Sequence, residues 1–153
     1  MPIYVGSYFC FCDAAAAKKS GRLLAPAAAL GWLAYIVALW LPSGAGKLMY
    51  VILPFVFAAV PLWYVSSAVA ELLRAGDKLK RSEAEKVAGN LPSASVFGII
   101  LTAVALIAEG ITAIAAPEKL NAADISFAAG AVILCAAFAL SFSRRQAVAT
   151  KLI

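Results

Sequence analysis

Four long apolar segments, separated by short polar stretches, dominate the hydrophobic pattern of the chain. They cover residues 23–41, 48–70, 95–116 and 125–143. A helix rises about 1.5 Å per residue, so each segment is long enough to cross a hydrocarbon core about 30 Å thick. The pattern therefore predicts an all-α integral membrane protein with four transmembrane helices.

A charged run at residues 71–90, ELLRAGDKLKRSEAEKVAGN, divides the four segments into two hairpins. Charges at this density belong in water, so the run is predicted to be an aqueous linker. The predicted parts are an N-terminal interfacial segment (1–22), a first transmembrane hairpin (23–70), the charged linker (71–94), a second transmembrane hairpin (95–143) and a basic tail (144–153).

The distribution of basic residues predicts the orientation of the hairpins. If both hairpins run in-out-in, eleven of the thirteen Lys and Arg residues lie on the side of the termini and the linker. Only Lys47 and Lys119 lie on the opposite side. Because short loops rich in Lys and Arg stay in the cytoplasm, we expect cytoplasmic N- and C-termini and a multi-pass location in the cell membrane.

The composition agrees with a membrane protein and excludes several other classes. Hydrophobic residues make up 64% of the chain, against roughly 45–50% in soluble domains. The net charge of +5 does not indicate nucleic-acid binding, because the basic residues flank apolar segments instead of forming one patch. The chain has no histidine, which excludes His-based catalytic triads, imidazole zinc sites and bis-His haem ligation.

The three cysteines indicate neither a disulfide framework nor a metal site. Cys135 lies within the fourth apolar segment, and Cys10 and Cys12 form a Cys-x-Cys pair near the N-terminus. Such a pair can be half of a soft-metal site, but the remaining ligands are missing, since Met49 is the only methionine besides Met1. We therefore expect no metal and no cofactor.

The segment before the first span combines aromatic residues with a helix start. Its aromatic side chains suit an anchor at the depth of the lipid headgroups. These side chains are Tyr4, Tyr8, Phe9 and Phe11. Asp13 is the predicted N-cap of a short helix over residues 14–19.

The charged linker carries the signals of a second short helix. Ser82 and Glu85 have the spacing of a capping box, and Gly89 with Pro92 is predicted to end the element. We favour a solvated connector here over a docking site for a cytoplasmic partner.

The first and third spans each carry a face of small residues where another helix can approach closely. In the first span these residues are Ala27, Gly31, Ala34 and Ala38. In the third span the face contains Gly98, Thr102, Ala105, Glu109, Thr112 and Ala116. The opposite side of the third span is predicted to meet lipid, through Ile100, Val104, Ile107, Ile111 and Ile114.

The second span contains Pro54 and Pro61, seven residues apart and therefore on one helical face. Each proline lacks an N–H and crowds the carbonyl four residues earlier, which predicts a kink and free carbonyls at Tyr50 and Phe57. Such kinks either line cavities or are absorbed by helix packing.

Glu109 is the one ionisable residue deep inside a predicted span, about 10 Å from its outer end by helical rise. A carboxylate costs roughly 2–3 kcal/mol or more in lipid, so we expect Glu109 to face protein or trapped water and to be protonated near neutral pH. Counting inward from the span ends puts Tyr35 and Pro54 at the same depth, so we expect the Tyr35 hydroxyl or the Tyr50 carbonyl freed by Pro54 to hydrogen-bond Glu109. The candidate polar site therefore comprises Glu109, Thr102, Thr112, Tyr35 and Pro54.

Two functions remain open at this point, and the sequence favours the first of them. The first is a non-catalytic accessory or assembly subunit that packs through its small-residue faces against itself or a larger membrane complex. The alternative is a small proton- or cation-coupled transporter or channel that uses Glu109. We expect no enzymatic activity, because a lone carboxyl without a metal ligand set or a nucleophile-base pair is not an assembled catalytic site.

Overall fold

The computed structural model of the protein describes residues 6–41, 44, 47–76 and 78–153. Its helices are α1 (Ala14–Trp40), α2 (Met49–Phe57), α3 (Ala59–Arg74), α4 (Arg81–Ala84), α5 (Leu91–Ala115) and α6 (Ala123–Ser143). Four helical stretches are long and apolar enough to cross a membrane: α1, α2 with α3, α4 through α5, and α6. The prediction of an all-α membrane protein with four spanning helices is therefore confirmed at the level of length and composition.

The first helix is longer than the sequence analysis predicted. The Asp13 carboxylate accepts a hydrogen bond from the Ala16 amide at 3.1 Å, so Asp13 is the N-cap as expected. The predicted short helix over residues 14–19 is wrong, because α1 continues through Gly21 to Trp40. Gly21 allows a close helix contact: a Cβ there would lie 3.1 Å from the Leu72 Cβ.

The second helical stretch is interrupted at Ala58, between α2 and α3. Helix α2 passes through Pro54 without a break. Pro61 explains the position of the interruption, since it has no N–H to donate to the Phe57 carbonyl and crowds that carbonyl sterically. The Ala58 amide still donates to the Pro54 carbonyl at 3.2 Å, as in a regular helix, and also contacts the Phe55 carbonyl at 3.1 Å.

The linker helix begins and ends differently from the prediction. Its N-cap is Lys80 and not Ser82: the helix begins at Arg81, and the Lys80 amide donates to the carboxylate of Glu83, not of Glu85, at 2.9 Å. It does not end at Gly89, because a π-helical turn over Glu85–Asn90 joins it to α5. Pro92 has no N–H to donate to a carbonyl in the preceding turn. The wider π-helical turn just before it accommodates this missing donor.

A small antiparallel sheet joins three distant parts of the chain, which the sequence analysis did not predict. Strands β1 (Tyr8–Phe11), β2 (Leu79–Lys80) and β3 (Thr150–Leu152) lie in the order β2-β1-β3. Phe9 lies opposite both Leu79 and Leu152. Pairing satisfies backbone groups that an isolated extended segment would leave open. Tyr4, predicted as part of the interfacial anchor, lies outside the described residues.

The spanning helices pack so that α1 contacts mainly α3 and α6, whereas α5 contacts α6, α2 and α3. Aromatic rings connect these helices through the core: Tyr35 stacks on Phe55 with centroids 5.3 Å apart, and Phe55 contacts Phe127 at 4.8 Å. The predicted bulky stripe of α5 lies on the outer surface of the bundle. Its members are Ile100, Val104, Ile107, Ile111 and Ile114.

Candidate functional site

Glu109 lies on the inner face of α5 and is only 6% exposed. The residues spaced three or four positions from one another on this face are buried with it, because these spacings bring side chains to one side of a helix. They are Gly98, Thr102, Ala105 and Thr112. The third span therefore directs its one carboxyl into the bundle.

The Glu109 carboxyl has no hydrogen-bond partner within the described residues, and its Oε2 atom is fully buried. Most buried polar groups in proteins are hydrogen-bonded, so an unpartnered carboxyl requires an explanation. Among the described residues, one other buried side-chain atom lacks a hydrogen-bond partner. It is the hydroxyl oxygen of Ser20, near the opposite end of the bundle.

A cavity of about 340 Å³ opens beside Glu109, between α5 and the beginning of α6. Its walls are largely apolar and include Leu106, Ala113 and Ile125. Asn121 and Asp124 add polar groups at the end near the connecting loop. A Cβ built on Gly110, which also lines the cavity, would meet nothing within 4 Å, so there is free space beside Glu109.

Asp124 is the site residue that the sequence analysis missed. It lies in the first turn of α6 and is 5% exposed. Its carboxylate accepts hydrogen bonds from the backbone amides of Asn121 and Gly44, the latter at 3.3 Å. The Asn121-x-x-Asp124 spacing before a helix was the available signal, since acidic side chains are favoured near helix N-termini.

The cavity thus contains two buried carboxyl groups in different environments. Backbone amides from two loops hold the Asp124 carboxylate, so it also connects those loops. The described residues offer Glu109 no such donor. Glu109 therefore has hydrogen-bonding capacity that the described residues leave unused.

The predicted hydrogen bond from Tyr35 to Glu109 is absent. The Tyr35 hydroxyl donates to the Val56 carbonyl oxygen at 3.0 Å, next to the interruption at Ala58. The Tyr50 carbonyl, which Pro54 was expected to offer to Glu109, makes no such bond in the described structure. Depth counting failed here because α1 packs against α3 and α6 and not mainly against α5.

The two threonines of the candidate site hydrogen-bond to their own helix. The Thr102 hydroxyl donates to the Gly98 carbonyl at 2.8 Å, and the Thr112 hydroxyl donates to the Ala108 carbonyl at 2.9 Å. The Tyr50 hydroxyl lies 2.8 Å from the Thr112 oxygen. Because Thr112 already donates its proton, Tyr50 is the donor, and the pair connects α2 to α5.

The small residues lie at contacts within the chain. A Cβ on Gly31 would lie 3.4 Å from both Leu62 and Leu134, and a Cβ on Gly98 would lie 2.5 Å from the Phe138 ring. Ala34 and Ala38 approach Gly130 of α6. Ala105 is fully buried, and Ala27 is half-buried.

A polar contact between α1 and α3 was also missed by the sequence analysis. The Trp32 indole N–H donates to the Ser66 hydroxyl at 2.8 Å, and Ser66 donates to the Leu62 carbonyl at 2.8 Å. The pairing follows from the neighbouring positions of α1 and α3, which the pattern of one sequence does not reveal.

The cysteines are free thiols: Cys10 is half-buried in β1, Cys12 is exposed and Cys135 is half-buried in α6. Within the described ranges, no three Cys, Asp or Glu side chains group together to bind a metal ion. Comparisons with protein-family models, with characterised proteins and with solved structures found no match for the chain.

Proposed function

We propose that the chain is a small proton- or cation-coupled transporter or channel, without enzymatic activity, that uses Glu109 as its binding group. One observation carries this proposal. The Glu109 carboxyl is buried inside a spanning helix, borders a cavity and has no hydrogen-bond partner among the described residues.

A purely structural role would account poorly for this carboxyl. The neighbouring buried hydroxyls of Thr102 and Thr112 are satisfied by helix carbonyls, and that arrangement lowers the cost of burying them. An ionisable group within a span is expensive, and such groups commonly mark ion or proton pathways. An unpartnered Glu109 beside a cavity fits reversible binding better than it fits a fixed contact.

Entry to Glu109 is proposed from the loop end of the cavity, past Asn121 and Asp124. These two residues supply polar groups there, while the other lining residues are largely apolar. A cation or proton moving inward therefore passes one carboxyl held by backbone amides before it reaches Glu109.

The alternative function is an accessory or assembly subunit that packs through its small-residue faces. Gly31 and Gly98 favour the transport proposal over this alternative, because side chains of the same chain already fill the space beside them. A separate subunit would have to use another surface.

In the proposed orientation the chain lies in the plasma membrane, and both termini and the linker are in the cytoplasm. Two observations support it. The basic residues are divided eleven to two between the ends of the bundle. Strands from the N-terminal segment, the linker and the C-terminal segment also pair in one sheet, which fits hairpins that return to the same side.

A flux measurement in liposomes with an imposed pH gradient tests the function. We expect the purified chain to dissipate the gradient, with or without an added monovalent cation, and Glu109→Gln to abolish this flux while the variant stays folded. An amide keeps the shape of the side chain but cannot exchange a proton.

The matched control is Glu118→Gln, because Glu118 is an exposed carboxylate in the loop near the same end of the bundle. This control should retain the flux of the parent protein. Equal flux for the parent and Glu109→Gln, or no flux from the parent under any gradient, would contradict the transport proposal and favour the accessory subunit.

A further inference from the structure

A second cavity, of about 240 Å³, lies between α1 and the C-terminal end of α3, on the side of the bundle that carries the small sheet. Lys18 and Arg22 line it from α1, Leu72 and Leu73 line it from α3, and Ala75 lines it from just beyond the end of α3. This cavity is separate from Glu109 and belongs to the opposite end of the spans.

The close contact at Gly21 places both cations beside α3. Gly21 meets Leu72, so the two helix backbones approach each other there. Lys18 and Arg22 are four positions apart and therefore project from the same side of α1, about 6 Å apart along the helix axis. Two positive side chains at this spacing can reach a single phosphate group.

Neither cation is neutralised by an ion pair within the part of the chain that the structure describes. The pairs found there are Arg81 with Glu85 and Lys86 with Glu71. Lys18 and Arg22 also donate no hydrogen bond to the carbonyls at the end of α3. Both positive groups are exposed and free to bind an anion.

The position along the helix favours a lipid as the source of that anion. Arg22 is the last charged residue before the uninterrupted apolar part of α1, so the two cations lie where the hydrocarbon region is expected to end. Leu73 is exposed beside them, and its apolar side chain can contact an acyl chain. Basic pockets between spanning helices commonly bind acidic headgroups.

We propose that Lys18 and Arg22 form a binding site for the phosphate of an anionic phospholipid, whose acyl chains lie along Leu73. The guanidinium of Arg22 provides a paired set of donors for phosphate oxygens, and Lys18 adds a second positive charge. The site requires a headgroup with net negative charge, which distinguishes phosphatidylglycerol from zwitterionic phosphatidylcholine.

For the test, the full chain is purified in detergent that contains phosphatidylcholine and is then titrated with phosphatidylglycerol. Binding is followed by native mass spectrometry and by the midpoint of thermal unfolding. We expect saturable binding of phosphatidylglycerol. The double variant Lys18→Gln/Arg22→Gln should weaken it about 25-fold, since each cation near an anionic headgroup contributes roughly 5-fold.

The control Lys19→Gln/Arg145→Gln removes the same two kinds of charge from the same end of the bundle, at exposed positions outside the cavity. It should change the affinity by less than about 3-fold, because only long-range attraction is lost. Equal weakening in both double variants would overturn the proposal in favour of non-specific attraction.

Two further outcomes would also overturn it. Displacement of the lipid by millimolar inorganic phosphate would show that the site takes free phosphate instead. Loss of stability in Lys18→Gln/Arg22→Gln without any dependence on phosphatidylglycerol would mean that the cations only complement the carbonyl end of α3.

The swap Lys18→Arg/Arg22→Lys keeps both charges and should keep the binding.

Discussion

The Tyr35 hydroxyl of α1 donates its hydrogen bond to the Val56 carbonyl at the interruption between α2 and α3. At that interruption Pro61 leaves the Phe57 carbonyl without its regular helical donor, and in hydrocarbon an unsatisfied carbonyl is costly. Tyr35 supplies a hydrogen-bond donor one residue away from that carbonyl and so connects α1 to the interrupted span.

Tyr35→Phe should lower the stability of the detergent-solubilised protein by about 0.5–1.5 kcal/mol, because the ring stays buried while the carbonyl loses its donor. Chemical or thermal unfolding followed by circular dichroism measures the change. Tyr64→Phe is the control: its ring is half-exposed and its hydroxyl makes no hydrogen bond within the described residues. Equal stability losses in the two variants would show that the contact with Val56 contributes nothing specific.

Two glycines of α5 should respond in opposite ways to the same substitution. Gly98→Ala should cost about 1–3 kcal/mol, because the new methyl group would overlap the Phe138 ring and force it to move. Gly110→Ala has free space and should be neutral or stabilising by up to about 1 kcal/mol, since alanine favours a helix interior.

Unfolding midpoints of the two alanine variants check this pair directly. A third comparison, Gly31→Leu against Ile107→Ala, extends it to α1: overpacking the contact with Leu62 and Leu134 should cost more than trimming a side chain on the outer surface. Similar midpoints for Gly98→Ala and Gly110→Ala would rule out the packing seen at Phe138.

The proposed orientation predicts which introduced thiols a membrane-impermeant reagent can reach. After replacement of Cys10, Cys12 and Cys135 by serine, cysteines at Lys47 or Lys119 should be labelled from outside intact cells. A cysteine at Lys80 should be labelled only after the membrane is permeabilised. Labelling of a cysteine at Lys80 in intact cells would contradict this orientation, because it would place the linker outside the cell.

Features that depend on one segment at a time were predictable from the sequence. The four apolar segments gave the four candidate spans, because length and hydropathy suffice for a membrane helix. The Asp13 cap was also predictable, since its acceptor and donor are three residues apart. The burial of Glu109 followed from the small face of the third span.

Features that depend on which helices are neighbours were not predictable in this way. Tyr35 and Glu109 were matched by depth, but depth does not tell which helix lies beside which. Asp124 was overlooked because it precedes the apolar segment by one residue, and its role depends on an amide of Gly44, far away in the sequence. Strands of two to four residues carry too little periodicity to be recognised.

The small sheet of β1, β2 and β3 has a mechanical consequence for the proposed transport. It links the segment before the first hairpin, the connection between the hairpins and the segment after the second one. Separating the hairpins at that end requires breaking backbone hydrogen bonds between the strands, so the sheet opposes their separation there. Any relative tilting of the hairpins that keeps the sheet intact must therefore break the hydrogen bond from the Gly44 amide to Asp124 at the far end, beside Glu109.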